Sequence, residues 1–166
     1  MLAADPEVIV GGLVGVVLHE SARAIFDMLN VPRLGDDGDA ADQLAAFIGL
    51  QFGDDVARVV IKGSYFLWKR YDEEIVAAER QYDFAARSSV PRQRIYNMLC
   101  IAYGGAPQTF KAFVDQGDLL SIRAENCPDE YRLVRQAFLK TIVPYIDADM
   151  MAKARSIQWV SPDDFK

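Results

Sequence analysis

Prolines divide this chain into helical segments and leave little room for other elements. Pro6, Pro91, Pro107 and Pro128 each open a predicted helix, where the missing backbone N–H is not needed. Pro32 ends the first segment, because the residue before a proline is pushed out of the α region. No segment strongly alternates apolar and polar residues as a half-buried strand does. The pattern predicts an all-α fold of about six helices in one domain, with the segment after Pro6 at its centre.

The predicted helical domain covers residues 1–146, and a polar C-terminal tail follows at residues 147–166. Asp5 and Asp39 have the residue type that caps helices, so we expect them to start the first and second helices. Helices are expected at about 6–30, 40–52, 56–81, 91–103, 107–116 and 128–146, with a short helix or turn at 119–126.

The first half of the first helix is unusually rich in glycine. Gly11, Gly12 and Gly15 are poor helix formers, but they allow another helix to approach closely. This composition predicts that the first half of the helix is buried. The aromatic residues of the third helix lie near helical spacing and are expected in the core and at its edge; they are Tyr65, Phe66, Trp68 and Tyr71.

Charge and composition exclude several classes of partner. The 166 residues carry a formal net charge of −6, which argues against nucleic acid and anionic membrane surfaces. The apolar run Val8–Leu18 is shorter than the roughly 18–20 residues of a membrane span. Met1–Glu7 is acidic, unlike the basic start of a signal peptide. We therefore expect no nucleic-acid partner, no membrane span and no secretion signal in this chain.

The chain has one histidine, and a glutamate follows it directly. His19-Glu20-Ser21-Ala22-Arg23 has the frame of the zinc-binding motif H-E-x-x-H, with arginine at the second histidine position. In that motif both histidines bind zinc from one helix face, and the glutamate activates the metal-bound water. His19 is therefore the candidate metal ligand and Glu20 the candidate catalytic base.

The third ligand position of such a site can be tested by counting. In one pattern of this kind the ligand is the glutamate of E-x-x-A-D on the next helix, and the aspartate orients a ligand by hydrogen bonding. Asp42 occupies the aspartate position here, but Gly38 stands where the glutamate belongs. Of the three ligand positions, only His19 keeps a ligand. The sequence thus leaves open whether this chain is an enzyme.

Two arginines are candidates for a structural role at this site. Arg23 is expected either to pair with the carboxylate of Glu20, Asp42 or Asp27 near His19, or to form a surface pair with Asp27. Arg94 is expected at the exposed start of the fourth helix, with support of the former metal site as the alternative.

Two cysteines, Cys100 and Cys127, are too few for a structural zinc site of their own. They are either free core thiols or one disulfide, and composition alone favours free thiols.

Three stretches resemble a bacterial family of putative metallopeptidases, whose members read roughly HELGHALID-x-L-x-LPVLGREEDAADQLA. The corresponding stretch here is HESARAIFDMLNVPRLGDDGDAADQLA. RQRIYNMLCIAYGGAPQTF resembles the family's QRFYN-x-LC-x-x-YG-x-DP-x-x-F, and RAENCPDEYRLVRQAF resembles its RA-x-x-CP-x-EY-x-x-A-x-x-x-W. The resemblance covers about Val8 to Pro144.

The resemblance implies a zinc peptidase that is exported or periplasmic, with an N-terminal lobe containing strands before the motif helix. It also implies a Cys100–Cys127 disulfide, because both cysteines fall at family positions. This sequence departs from the pattern at Arg23 and Gly38, and it begins almost at the motif helix.

Three hypotheses follow. In the first, the domain is a degenerate metallopeptidase-like module that binds no cofactor, has no peptidase activity and acts by binding or as a structural element. In the second, it is an active hydrolase whose zinc is held by His19 with Asp39 and Asp42, and Glu20 is the base. In the third, a protein partner or a second copy covers the Val8–Val17 face of the first helix.

Overall fold

The computed structural model describes residues 5–33, 35–86, 89–147 and 149, and within them no β-strand occurs. The all-α prediction is confirmed. Seven α-helices and a 3-10 turn follow one another in the order α1 Pro6–Met28, α2 Asp37–Leu50, α3 Asp54–Ala77, α4 Pro91–Gly105, α5 Pro107–Asp115, α6 Ser121–Ala124, α7 Cys127–Thr141 and the turn Val143–Tyr145. Except for Asp147 and Asp149, the predicted polar tail lies outside the described residues.

The capping prediction holds for α1 and fails for α2. The Asp5 side chain accepts a hydrogen bond from the Glu7 N–H at 3.1 Å, as the sequence predicts. The cap of α2 is Asp36, whose carboxylate accepts from the Asp39 N–H at 2.9 Å. Asp36 has the extended backbone that a cap requires, so the helix begins earlier than expected and Asp39 lies within its first turn.

Helices α1 and α3 touch through their backbones. A Cβ atom on Gly63 of α3 would lie 2.1 Å from the Gly12 backbone nitrogen, and one on Gly11 would lie 2.0 Å from the Val59 carbonyl oxygen. Neither position has room for a side chain. The glycines that weaken these helices locally are therefore what allows the two helices to pack this closely.

Only one face of α1 is buried. Val8, Gly11, Gly12, Ala22 and Phe26 are buried against the neighbouring helices. The opposite side is the apolar α1 face, whose members are each at least half exposed: Ile9, Val10, Leu13, Val16 and Val17. The expectation that the first half of α1 is buried is thus wrong for this face, because glycines provide the contact and leave the large side chains outside.

Helix α1 is also the one described helix that is long and apolar enough to cross a membrane. Its most apolar 18-residue window has a mean hydropathy of 1.6, and 28% of that window is buried. Core helices of soluble proteins and signal sequences meet the same criteria, so this finding does not define a membrane span.

Helix α4 contacts α2, α3, α5, α6 and α7 and contributes a fully buried segment to the core. Leu99, Cys100, Ile101 and Ala102 are at most 1% exposed. A disulfide joins Cys100 to Cys127 at the start of α7, and both cysteines are fully buried. The prediction of free thiols from composition is thus wrong, and the observed disulfide is the one that the family resemblance implies.

A buried carboxylate ties α3 to α4 and to the connection between them. Asp72 accepts hydrogen bonds from Arg92 Nη2 at 2.7 Å and from the Tyr82 hydroxyl at 2.5 Å. The bond to Asp72 favours the neutral hydroxyl and raises the pKa of Tyr82.

The Gly63 contact gives the first testable prediction. Gly63→Ala should lower the free energy of unfolding by about 1–3 kcal/mol, because the new methyl group overlaps backbone atoms of α1. At an ordinary position inside a helix, replacing glycine by alanine would instead raise the free energy of unfolding by about 0.5–1 kcal/mol. Urea unfolding measures the difference, and Lys62→Ala at the exposed neighbouring position is the control, with an expected change within about 0.5 kcal/mol. A Gly63→Ala variant as stable as the parent would contradict the packing described here.

Candidate functional site

His19, Asp42 and Arg94 meet where α1, α2 and α4 converge. Asp42 Oδ1 lies 2.7 Å from His19 Nδ1. Arg94 donates from Nε to Asp42 Oδ2 at 2.5 Å and from Nη2 to Asp42 Oδ1 at 2.9 Å. The three side chains are only 16%, 9% and 13% exposed, respectively. We call these three residues the His19 cluster.

The cluster brings a carboxylate and a guanidinium out of water together. An unpaired buried carboxylate is costly, and the two-pronged Arg94 contact compensates the charge of Asp42. Arg94 also lies over the ring of Trp68, with 3.6 Å between its guanidinium carbon and the ring centroid. This cation–π contact packs the guanidinium against α3.

The bond to Asp42 decides the chemistry of the imidazole. An ionised carboxylate only accepts hydrogen bonds, so Nδ1 of His19 carries the proton. In the neutral imidazole, Nε2 then has its lone pair available to an external group. Glu20 Oε1 lies 3.9 Å from Nε2, too far for a hydrogen bond and close enough for both atoms to face one bound group.

Arg23 is not part of the His19 cluster. Its Nη1 lies 3.5 Å from Glu20 Oε2, and the two side chains are 53% and 61% exposed. Of the partners expected for Arg23, Glu20 is found. The predicted pairing of Arg23 with Asp42 is wrong, because Arg94 already contacts both oxygens of Asp42. The predicted pairing with Asp27 is also wrong, because Asp27 pairs with Arg33 at 3.0 Å.

Arg94 is the residue that sequence reasoning placed least well. Of its two predicted positions, the exposed helix start and the metal site, the structure places Arg94 at the site. There it pairs with Asp42, which the sequence analysis had named as a possible partner of Arg23. No spacing rule links residues 42 and 94; the only signal was the position of Arg94 in the QRIYN stretch that resembles the family. Trp68 was expected in the core, and the structure adds its contact with Arg94.

The remaining candidates, Gly38 and Asp39, do not line the cavity beside His19. Gly38 is one helical turn before Asp42, and a Cβ atom there would lie 2.8 Å from Oδ1 of Asp36, the cap of α2. Asp39 accepts a hydrogen bond from the Ser89 hydroxyl at 2.5 Å and does not line the cavity beside His19. The structure therefore brings His19, Glu20, Arg23 and Asp42 to one place, and leaves Asp39 outside it.

A cavity of about 490 Å³ lies beside His19, within the roughly 300–1,000 Å³ range of small-molecule sites. Its polar lining includes His19, Glu20, Arg23 and Ser64. Its apolar lining comes from α1, α2, α3 and α4 and includes Val16, Ala45, Ala46, Val60, Ile61, Leu67, Trp68, Tyr71 and Met98. Val16 also belongs to the apolar α1 face, so the cavity opens beside that face.

A helical domain with a histidine-glutamate pair on one helix, oriented by an aspartate on the next, has the arrangement of a metallopeptidase-like domain. Residues 4–141 match the family described as "putative metallopeptidase", and the chain belongs to this family. No curated protein and no solved structure matches the chain.

The family description implies a metal, but the donor set of this chain does not fit zinc. A catalytic zinc takes three protein ligands and keeps one position open. Among the described residues, no three histidine, cysteine, aspartate or glutamate side chains are grouped to hold a metal ion. At the cavity, the atoms available to a cation are His19 Nε2 and the Glu20 carboxylate, with the Arg23 guanidinium next to them.

The buried Arg94–Asp42 pair gives the second prediction. Asp42→Ala leaves the Arg94 guanidinium buried without a counter-charge, so the free energy of unfolding should fall by about 3–5 kcal/mol. Urea unfolding of the purified variant measures this. Glu74→Ala removes one partner of the exposed Arg70–Glu74 pair and should cost at most about 1 kcal/mol. If both variants lose the same small amount, the His19 cluster does not hold α1, α2 and α4 together.

Proposed function

We propose that this domain keeps the metallopeptidase scaffold as a binding module and has no zinc-dependent peptidase activity. The observation that carries the proposal is the position of Arg23. It lies one turn after His19 on the same helix face, where the second zinc ligand of H-E-x-x-H would stand. A guanidinium is always protonated, so it repels a divalent cation at this point instead of binding it.

The state of α2 supports the same proposal. Gly38 has no donor atom, and the space next to its missing side chain is taken by the Asp36 carboxylate that caps the helix. A glutamate at position 38 would have to displace this cap. What remains of the former site is the part that orients His19, namely Asp42 and Arg94.

Metal analysis of the purified protein tests the proposal. We expect much less than one zinc per chain after incubation with zinc and gel filtration. The double variant Arg23→His and Gly38→Glu restores both missing donors and should bind about one zinc per chain. Each single variant is the matched control and should bind zinc more weakly than the double variant.

The alternative is an active hydrolase with a metal held by fewer donors. Glu20 near His19 Nε2 is the observation that favours it, because a base is still present. One tightly held zinc in the parent protein, together with peptide hydrolysis that a chelator and Glu20→Gln both abolish, would establish this alternative and refute the binding module.

The apolar α1 face supports a further part of the proposal, a protein partner or a second copy that covers it. Five aliphatic side chains at least half exposed on one helix face form a patch of the kind that marks interaction sites. The buried disulfide favours an oxidising, exported location for the protein and its partner.

Light scattering at increasing protein concentration tests the second copy. We expect a shift from monomer to dimer that Leu13→Glu at the centre of the face abolishes, because a buried unpaired carboxylate is costly. Leu133→Glu, at an exposed position on α7, should leave the shift unchanged. If the protein stays monomeric at all concentrations, a second copy does not cover the apolar α1 face, and a different protein is the proposed partner.

A further inference from the structure

The geometry points to an α-amino acid with an apolar side chain, bound as its zwitterion, as the ligand of the cavity beside His19. This inference rests on the proposed binding role and names the ligand class. Three neighbouring features carry it: two acceptor atoms, a guanidinium and an apolar wall. Each matches one of the three parts of such an amino acid.

The two acceptors match an ammonium group. His19 Nδ1 faces Asp42, so Nε2 is the ring nitrogen turned toward an external group, and it is an acceptor in the neutral imidazole. Glu20 Oε1 lies 3.9 Å from Nε2. A single nitrogen at a hydrogen-bond distance of about 2.8 Å from each atom fits between them. A positively charged donor is favoured there, since the Glu20 carboxylate accepts hydrogen bonds and carries the opposite charge.

The guanidinium matches a carboxylate next to that ammonium. Arg23 Nη1 lies 3.5 Å from the other oxygen of Glu20, and half of the Arg23 side chain remains exposed. Its only ion pair among the described residues is this long one, so its other N–H groups can form the two-pronged bond that arginine makes with carboxylates. The opposite charges of Glu20 and Arg23, which lie one helical turn apart, thus complement the ammonium and carboxylate groups attached to the α-carbon of the ligand.

The wall matches an apolar side chain. The cavity lining includes Ala45, Ala46, Ile61 and Met98, which present no charge. Asp42 and Arg94 pair with each other in a two-pronged bond, so neither offers an unpaired charge to a ligand side chain. A charged ligand side chain would be desolvated here without a partner, and an aliphatic or aromatic one would not.

A calorimetric titration of the full chain with L-leucine and L-phenylalanine tests the inference. We expect saturable binding of both. N-acetyl-L-leucine lacks the ammonium and L-leucinamide lacks the carboxylate, and each should bind at least about tenfold more weakly, since each loses a charge-assisted hydrogen bond. The dipeptide Leu-Gly separates a free amino acid from a peptide N-terminus; it should also bind more weakly, because its carboxylate is one residue further away.

Two variants assign the binding to the named residues. Glu20→Gln and Arg23→Gln remove one charge each from exposed positions, and each should weaken L-leucine binding at least about tenfold. Arg70→Gln and Glu74→Gln remove the charges of a similar exposed pair on α3, also 3.5 Å apart, and should leave binding unchanged. Circular dichroism of each variant establishes that the helices are intact.

The inference is overturned if L-leucine does not bind, if the two blocked analogues bind as well as L-leucine, or if the α3 control pair matters as much as Glu20 and Arg23. These outcomes are separate from the metal analysis. A protein without zinc that fails to bind L-leucine refutes only this inference, whereas one tightly held zinc with chelator-sensitive hydrolysis refutes the proposed function.

Discussion

The arrangement of α1, α2 and α4 around the cavity depends on the buried carboxylate of Asp42. This carboxylate accepts a hydrogen bond from His19 on α1 and two from Arg94 on α4, so a residue of α2 joins three helices. Because the three side chains are largely buried, these bonds are electrostatically strong. Removing one of the side chains leaves the others buried without a hydrogen-bond partner, which is costly. The same bonds set the proton position on His19. Stability and site chemistry are thus properties of one cluster.

The close contact of α1 with α3 explains why the cavity exists and why a large apolar surface lies next to it. Glycines at the crossing bring the two backbones together. The large side chains of α1 therefore point away from the core, and Val16 lies both on the exposed face and at the cavity. A helix packed through leucine or valine would have buried this face and filled part of the space beside His19. The packing links a ligand cavity to a surface suited to a partner.

Much of this could be predicted from residues that act locally. Proline positions and the lack of strand periodicity predicted the helices, and the Asp5 cap was found as expected. The cap of α2 was missed because Asp36, Asp37 and Asp39 are equally suitable by residue type, and only the backbone conformation distinguishes them. The role of Arg94 was uncertain for a different reason: its partner Asp42 is 52 residues away in the chain, and no local pattern connects two such residues.

By itself, the sequence determined the helical class of the fold, the family and the identity of the residues at the motif positions, because helix signals are local and Arg23 and Gly38 are read directly from the chain. The tertiary structure decided which charges pair. Arg23 and Arg94 are chemically identical, and only helix packing places one against buried Asp42 and leaves the other in solvent beside Glu20. The resulting arrangement of a free Nε2, a carboxylate and an exposed guanidinium around an apolar cavity depends on the positions of α1, α2, α3 and α4, which no single segment encodes.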